Sequence, residues 1–341
     1  MAHPVIDNPT GFAFEPLFVT GQAGEPLLVA LVKVTYSLRT LPPELAEAQY
    51  PVRVAGEARG APEPTSYKYE PEFAWMKPAT DVVLIGHARA PNSHTTTLDV
   101  GFRVGPVQQR ARVYGARMWY RAVATISHTA PQPFEKIPLI YERAFGGADP
   151  SVRWPDGSPA CDPRNPVGVG YHDPKGTFVE EARLPNLESL QDKIQQWGDR
   201  PAPVGFGFTS CHWQPRAQFA GTYDETWLQQ VFPVLPADFD LRYFQGAPEA
   251  LVYPGRFRGG EPVEVRNAAA VPELAFPLPC PPALEVTVVM KGRTDQRCSL
   301  VLDTVVINTD DDVLLFTLRG HCPLRTGPHD VDTIRVRKGE A

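Results

Sequence analysis

The residues of this chain that could do chemistry are scattered rather than grouped. Nucleophilic catalysis needs a serine or cysteine activated by a neighbouring base, and no GxSxG elbow is present. Cys211 and His212 are adjacent. Adjacent side chains on a strand point to opposite faces, so Cys211 is read as a buried, inert thiol. Zinc wants ligands at short fixed spacings; His172, His212 and His321-Cys322 lack them, and HExxH is absent. The glycine pairs in Gly168-Val169-Gly170 and Gly205-Phe206-Gly207 complete neither GxGxxG nor a phosphate loop and read as turn glycines. Asp310-Asp311-Asp312 lacks the alternating ligands and downstream glutamate of a calcium loop, and reads as a solvated hairpin tip. Glu142, Asp224, Asp238, Asp240 and Glu261 could supply an acid–base pair for glycoside hydrolysis if the fold brings two of them together. The expectation is a protein with no catalytic centre, no cofactor and no metal.

One local motif has more physical content. Tyr141-Glu142-Arg143-Ala144-Phe145-Gly146-Gly147 sets a Glu-Arg pair among aromatics, ahead of two glycines. It predicts a partly buried ion pair beside a tight turn, fixing loop conformation rather than serving a site.

The elements that must position these residues read as strands at both ends of the chain. From Leu28 to Leu38 the even positions are apolar while Lys33, Thr35 and Ser37 alternate with them, the period-2 signature of a half-buried strand. Val82–Ile85 is a short apolar run closed by Gly86 and predicts a strand buried on both faces. Leu98, Val100, Phe102 and Val104 give the clearest alternation, with an antiparallel partner expected over Arg110–Trp119 across Gly105-Pro106. Leu284, Val286, Val288 and Met290 repeat the pattern, and the runs 299–307 and 313–318 predict a hairpin with tip Asn308–Asp312.

Between about residues 125 and 275 the texture turns to Pro, Gly and aromatics, including Trp154, Trp197, Trp213 and Trp227. One short amphipathic helix is expected with Asn186 as N-cap and Leu187, Leu190, Ile194 and Trp197 on one face. A second is expected from Asp224 or Glu225 to Val231. The 38 prolines among 341 residues, about twice the usual ~5%, argue against a helical bundle because proline removes a donor and breaks helix interiors. The fold class expected is mainly β (α+β at most). It would have antiparallel sheets or a β-sandwich-like core, long Pro/Gly/aromatic-rich loops and a few short helices. With no internal repeat or low-complexity linker, residues 1–341 are expected to form one composite unit, strand-rich over 12–120 and 280–320 and loop-rich over 125–275.

A net charge of −6 and a pI near 5.8 give no basic face for nucleic acid. The longest apolar runs are too short to span a bilayer, and residues 1–11 lack a signal-peptide pattern. Five widely spaced cysteines without CxxC fit reduced thiols in a cytoplasmic protein.

An ordered set of segments then resembles a known family. It runs through Lys77-Pro78-Ala79-Thr80-Asp81 to Gly86-His87-Ala88, then the Tyr141–Gly147 motif, Asn165-Pro166-Val167-Gly168 and Leu184-Pro185-Asn186-Leu187-Glu188. It continues with the stretch 200–207, Gly221-Thr222-Tyr223-Asp224 with Trp227, Asp238-Phe239-Asp240 with Phe244, Gly259-Gly260-Glu261, and Leu302-Asp303-Thr304-Val305-Val306. In this order and spacing, over roughly residues 12–320, they resemble the type VI secretion effector adaptors of Gram-negative bacteria. These are encoded near spike proteins, PAAR tip proteins and toxin effectors.

The resemblance implies a cytoplasmic, non-catalytic adaptor or chaperone. Its partners would be a secreted effector protein and a spike or PAAR protein, with no nucleic acid and no membrane. Some members carry a C-terminal pentapeptide-repeat extension, and no such repeat is expected here. The family-motif residues, structural or binding, are Lys77, Pro78, Asp81, His87, Tyr141, Glu142, Arg143, Phe145, Gly146, Gly147, Asn165, Pro185, Asn186, Gly221, Tyr223, Asp224, Trp227, Phe239, Asp240, Gly260, Glu261 and Asp303. The competing functions are a β-rich hydrolase using Asp and Glu, which would show two facing carboxylates in an acidic cleft, and a carbohydrate-binding module, which would show a strip of exposed tryptophan.

Overall fold

A computed structural model describes residues 4–60 and 65–339; the expected unit boundaries at residues 1 and 341 lie outside the described residues. Its main strands are β1 (Val5–Asp7), β2 (Ala13–Thr20), β3 (Pro26–Ser37), β4 (Thr80–Ile85), β5 (Thr97–Val104), β6 (Val107–Tyr114), β7 (Leu187–Glu188) and β8 (Val252–Tyr253). Further along come β9 (Pro262–Arg266), β10 (Glu273–Pro277), β11 (Leu284–Met290), β12 (Gln296–Cys298), β13 (Val301–Asn308), β14 (Val313–Pro323) and β15 (Val331–Lys338). Helix among the described residues is confined to α1 (Glu225–Gln230) and short 3-10 turns, so the chain is mainly β. No described helix is long and apolar enough to cross a membrane.

The largest sheet has the order β8-β4-β13-β14-β3-β2, with Glu44–Leu45 added to the end of β3. Its pairs are antiparallel except β4 with β13, which run parallel with Val82 opposite Val305. A second sheet, β7-β6-β5-β9-β10, is antiparallel throughout. A third, β1-β15-β11-β12, begins with a parallel pair. The first two sheets face one another across the principal core. Val32, Val34, Val305 and Phe316 of one meet Val100, Phe102, Val263 and Phe276 of the other. The third sheet packs Val286, Val288 and Ile334 against Leu28 and Ala30, lower on the same face of β3.

The alternation in β5, the burial of β4, the β13–β14 hairpin and α1 with Asp224 as its cap are as the sequence predicts. Four expectations are corrected. β3 is not half-buried: Lys33 is 3% and Thr35 is 0% exposed. It lies between two other strands, and the segment before Lys77 covers its second face. There Glu72 accepts from Lys33 Nζ at 2.7 Å, and Gln49 Oε1 accepts from the Thr35 N–H at 2.8 Å. The partner of β5 ends at Tyr114 rather than Trp119; Trp119–Arg121 turns away to pair with Ile126–His128. The helix expected from Asn186 does not form, because Leu187–Glu188 pairs with β6 and the Asn186 side chain donates to Tyr114 O at 2.9 Å. The polar tip is solvated only in part: Asp310 is exposed and Asp311 and Asp312 are half-buried, but Asn308 and Thr309 at its base are 0% and 4% exposed.

Candidate functional site

The polar positions of β3, β4, β13 and β14 share the second face of the largest sheet, and the loops that cover it supply their counter-charges. Asp81, fully buried, accepts from Lys77 Nζ at 2.7 Å, from Gln245 Nε2 at 2.7 Å and from the Gly246 N–H at 2.9 Å. Lys77 also donates to Thr304 Oγ1 at 3.2 Å and lies 4.0 Å from Glu70. Glu70 pairs with Arg216, whose remaining nitrogens donate to Tyr243 O and Thr209 O, both at 2.8 Å. Asp303 pairs with Arg319, which also donates to the carbonyls of Glu72 and Ala74. Burial alone would push the Lys77 ammonium down, but Asp81, Glu70 and Asp303 outweigh it and hold it above its ordinary value. Burial pushes the Glu70 carboxyl up, against the pull of Arg216 and Lys77. Such a charge network is costly to desolvate and fixes one arrangement of the loops over the sheet.

Above this network the loop-rich middle leaves a groove of about 430 Å³. Its deepest members are Tyr141 (4% exposed), Arg216 (8%), Gln245 (6%) and Ala247 (6%). Arg216 and Gln245 therefore reach both the groove and the buried network. Pro203, Pro215, Phe219 and Val252 give it apolar walls. Two arginines line its exposed side, each held in place. Arg164 makes a two-pronged bond to Asp162 at 2.9 and 2.6 Å. Arg242 bonds Asp240 at 2.9 and 2.6 Å and lies 4.2 Å over the Phe219 ring. Tyr141 packs edge-on to Trp213, and a side chain at Gly205 would strike its phenol. Burial pushes that phenol's pKa up.

The Tyr141–Gly147 motif is the groove's foundation. Asn165, fully buried, donates to Tyr141 O at 2.9 Å and Phe145 O at 2.8 Å. Gly146 and Gly147 have φ of 144° and 92°, and Cβ atoms there would meet Asn165 O at 2.1 Å and Gly168 O at 2.3 Å. Only glycine fits both the backbone and the space. The expected Glu142–Arg143 ion pair is absent, because the 3-10 turn aims the two side chains apart. Glu142 accepts from the Ser66 N–H at 2.7 Å and Oγ at 2.8 Å, whereas Arg143 is exposed, with Asn186 Oδ1 at 3.4 Å.

The remaining motif residues fall into separate groups. Lys77, Asp81 and Asp303 meet in the network, while Pro78 is exposed. Phe145 packs with Trp119, Leu184 and Ile194, and Pro185 O accepts from the buried Arg117 at 2.8 Å. Gly221, Tyr223, Asp224, Trp227, Phe239 and Asp240 belong to a lobe beside the groove. His87 stands apart, bonded to Asp310 at 2.8 Å, and Glu261 accepts from the N–H groups of Arg258 and Gly259, both at 2.9 Å, beside Gly260. Sequence reasoning missed Glu70, Arg216, Gln245 and Arg319. Only Arg319, a charge inside the apolar run of β14, carried a local signal.

The carboxylates considered for hydrolysis each have a local partner: Ser66 for Glu142, the α1 cap for Asp224, Thr222 for Asp238, Arg242 for Asp240, and the 258–259 turn for Glu261. Cys211 and His212 occupy a turn rather than a strand. Gly205, read as a turn glycine, instead admits the Tyr141 ring. Of the tryptophans, Trp154 is the exposed one, at 40%; Trp119 packs against Trp197, and Trp197 stacks on His172 at 3.8 Å. Among the described residues no three His, Cys, Asp or Glu side chains gather as a metal would require.

No curated protein and no solved structure matches this chain. The model of a family described as uncharacterized protein conserved in bacteria, DUF2169, matches residues 23–319, a span that includes the buried network and the groove, and the chain belongs to that family.

Proposed function

We propose that this protein is a non-catalytic adaptor that holds an effector of a type VI secretion system and loads it onto the spike or PAAR protein. The observation that carries the reading is the preformed groove, apolar in its walls and arginine-lined on its exposed side, to which the segments that resemble such adaptors contribute Tyr141, Ala202 and Pro203. Arginine and aromatic anchors set in apolar surroundings are what concentrate binding energy at protein interfaces. A groove already held by Asn165, Asp162 and Asp240 loses little freedom on binding. An adaptor must also release its cargo, so the affinity expected is micromolar to nanomolar, about −8 to −12 kcal/mol.

The test is secretion from a Gram-negative host whose copy of this gene is deleted. One cognate effector should disappear from the medium while the spike protein is still exported. Ala202→Trp, at an exposed position lining the groove, should mimic the deletion without lowering the melting temperature. Normal effector secretion from the deletion strain, or substrate turnover by the purified protein, sinks the proposal.

A further inference from the structure

Between the 3-10 turns Arg216–Ala220 and Leu241–Phe244 the chain forms a lobe with an unusual surface. From residue 217 to residue 241 there is no Lys, Arg or His, but there are Asp224, Glu225, Asp238 and Asp240. Asp240 is matched by Arg242. The other three take only neutral donors: Asp224 caps α1 through the Trp227 N–H at 2.8 Å, Glu225 accepts from Gln229 at 2.7 Å, and Asp238 accepts from the Thr222 N–H at 3.0 Å and Oγ1 at 2.7 Å.

Large apolar side chains are exposed among these charges. Phe232 is 63%, Leu228 55% and Tyr223 50% exposed. They are not loose. Trp227 holds Tyr223 edge-on at 4.7 Å and Phe232 at 5.6 Å, and its Nε1 donates to Val234 O at 2.9 Å. The result is a rigid aromatic ridge flanked by carboxylates that have no counter-ion among the described residues. Exposed clusters of this kind mark interaction surfaces, and rigid aromatics make anchors at small entropic cost.

We infer that this ridge is a docking surface for a cationic amphipathic helix of a protein partner. The helix's apolar stripe would cover Tyr223, Leu228 and Phe232, and its Lys or Arg flanks would meet Asp224, Glu225 and Asp238. Charge complementarity selects this occupant. An anionic membrane surface or an acidic peptide would be repelled, and a neutral apolar one would leave three carboxylates unmatched. The inference stands on the lobe alone and does not depend on the adaptor reading or on the groove.

The test uses two labelled synthetic helical peptides of the same pattern, one of Leu and Lys and one of Leu and Glu, titrated with the full chain by fluorescence anisotropy. The Leu/Lys peptide should bind and weaken at least tenfold when salt is raised from low to high; the Leu/Glu peptide should not bind. Leu228→Ser with Phe232→Ser should weaken binding at least tenfold, and Glu225→Gln should flatten the salt dependence, with unchanged thermal melts. Ala202→Trp should bind as the parent does, which separates this surface from the groove. Equal binding of both peptides, indifference to the double substitution, or binding lost on Ala202→Trp overturns the inference. So does adsorption to anionic lipid vesicles, or self-association in sedimentation that the double substitution abolishes, since a membrane or a second copy would then be the occupant.

Discussion

Asp81→Asn isolates what the buried network contributes. Asparagine keeps the shape of Asp81 but replaces one acceptor oxygen with an amide donor. If its oxygen keeps Lys77 and the Gly246 N–H, its NH2 meets the Gln245 amide nitrogen. Gln245 cannot turn over to accommodate it without giving up the bond its oxygen accepts from the Ala79 N–H at 3.1 Å. Lys77 is left with Glu70 at 4.0 Å as its nearest carboxylate. Removing one partner of a buried pair costs about 3–5 kcal/mol, a large share of a stability that is typically about 5–15 kcal/mol. At roughly 2 °C per kcal/mol for a chain this long, the melting temperature should fall by roughly 6–10 °C in a circular dichroism melt, with a matching loss in urea unfolding. Adding Lys77→Met removes the stranded cation and should recover part of that loss, since neutral replacements of buried pairs are often tolerated. An Asp81→Asn protein melting within about 2 °C of the parent, or a double variant no better than the single one, refutes the coupling.

Glu142 and Arg143 should separate cleanly in thermal melts. Arg143→Ala should change stability by no more than about 0.5 kcal/mol, whereas Glu142→Ala orphans the buried Ser66 N–H and should cost about 1–3 kcal/mol; equal effects would contradict the geometry. Asp330 accepts from the N–H groups of Arg325 and Thr326 and from Thr326 Oγ1, each at 2.7 Å. These bonds, that from the Thr326 backbone foremost, hold its carboxyl at about 2. The folded value lies below the ordinary one of about 3.9, so the turn's support is complete above that pH and is lost as pH falls toward about 2. The Thr326 amide resonance should therefore titrate near the lower value, and a midpoint near the ordinary one would show that the turn does not hold its carboxylate.

How far the sequence speaks for itself differs between strand and loop. β5 is legible because one of its faces meets the core and the other meets solvent, so burial and polarity alternate together. β3 misleads because Lys33 and Thr35 look like solvent positions. Their partners Glu72 and Gln49 lie 39 and 14 residues away, on a segment whose path no local pattern announces. Leu187, Ile194 and Trp197 have helical spacing, yet Leu187 joins the principal core from a strand while Ile194 and Trp197 reach a separate apolar cluster from a loop. Lys77, Asp81 and Asp303 were visible as motif residues, but their convergence with Glu70, Arg216, Gln245 and Arg319 depends on pairings across much of the chain. α1 was legible from its cap alone, because capping is local.

The parallel pairing of β4 with β13, and the seat of β3 beside β14, also set a timetable for synthesis. β3 leaves the ribosome as a mostly apolar strand, and its partner β14 begins at Val313. At about 5–20 residues per second, the two are separated by roughly a quarter of a minute to a minute. Through most of that interval β3 lacks its β14 neighbour, and β4 has only the two residues of β8 to pair with before β13 emerges. The middle of the largest sheet is thus its last part to be made. A nascent chain stalled before residue 300 is an aggregation hazard rather than a partly working protein, because the sheet can be completed only when the C-terminal hairpin arrives to stand between β3 and β4.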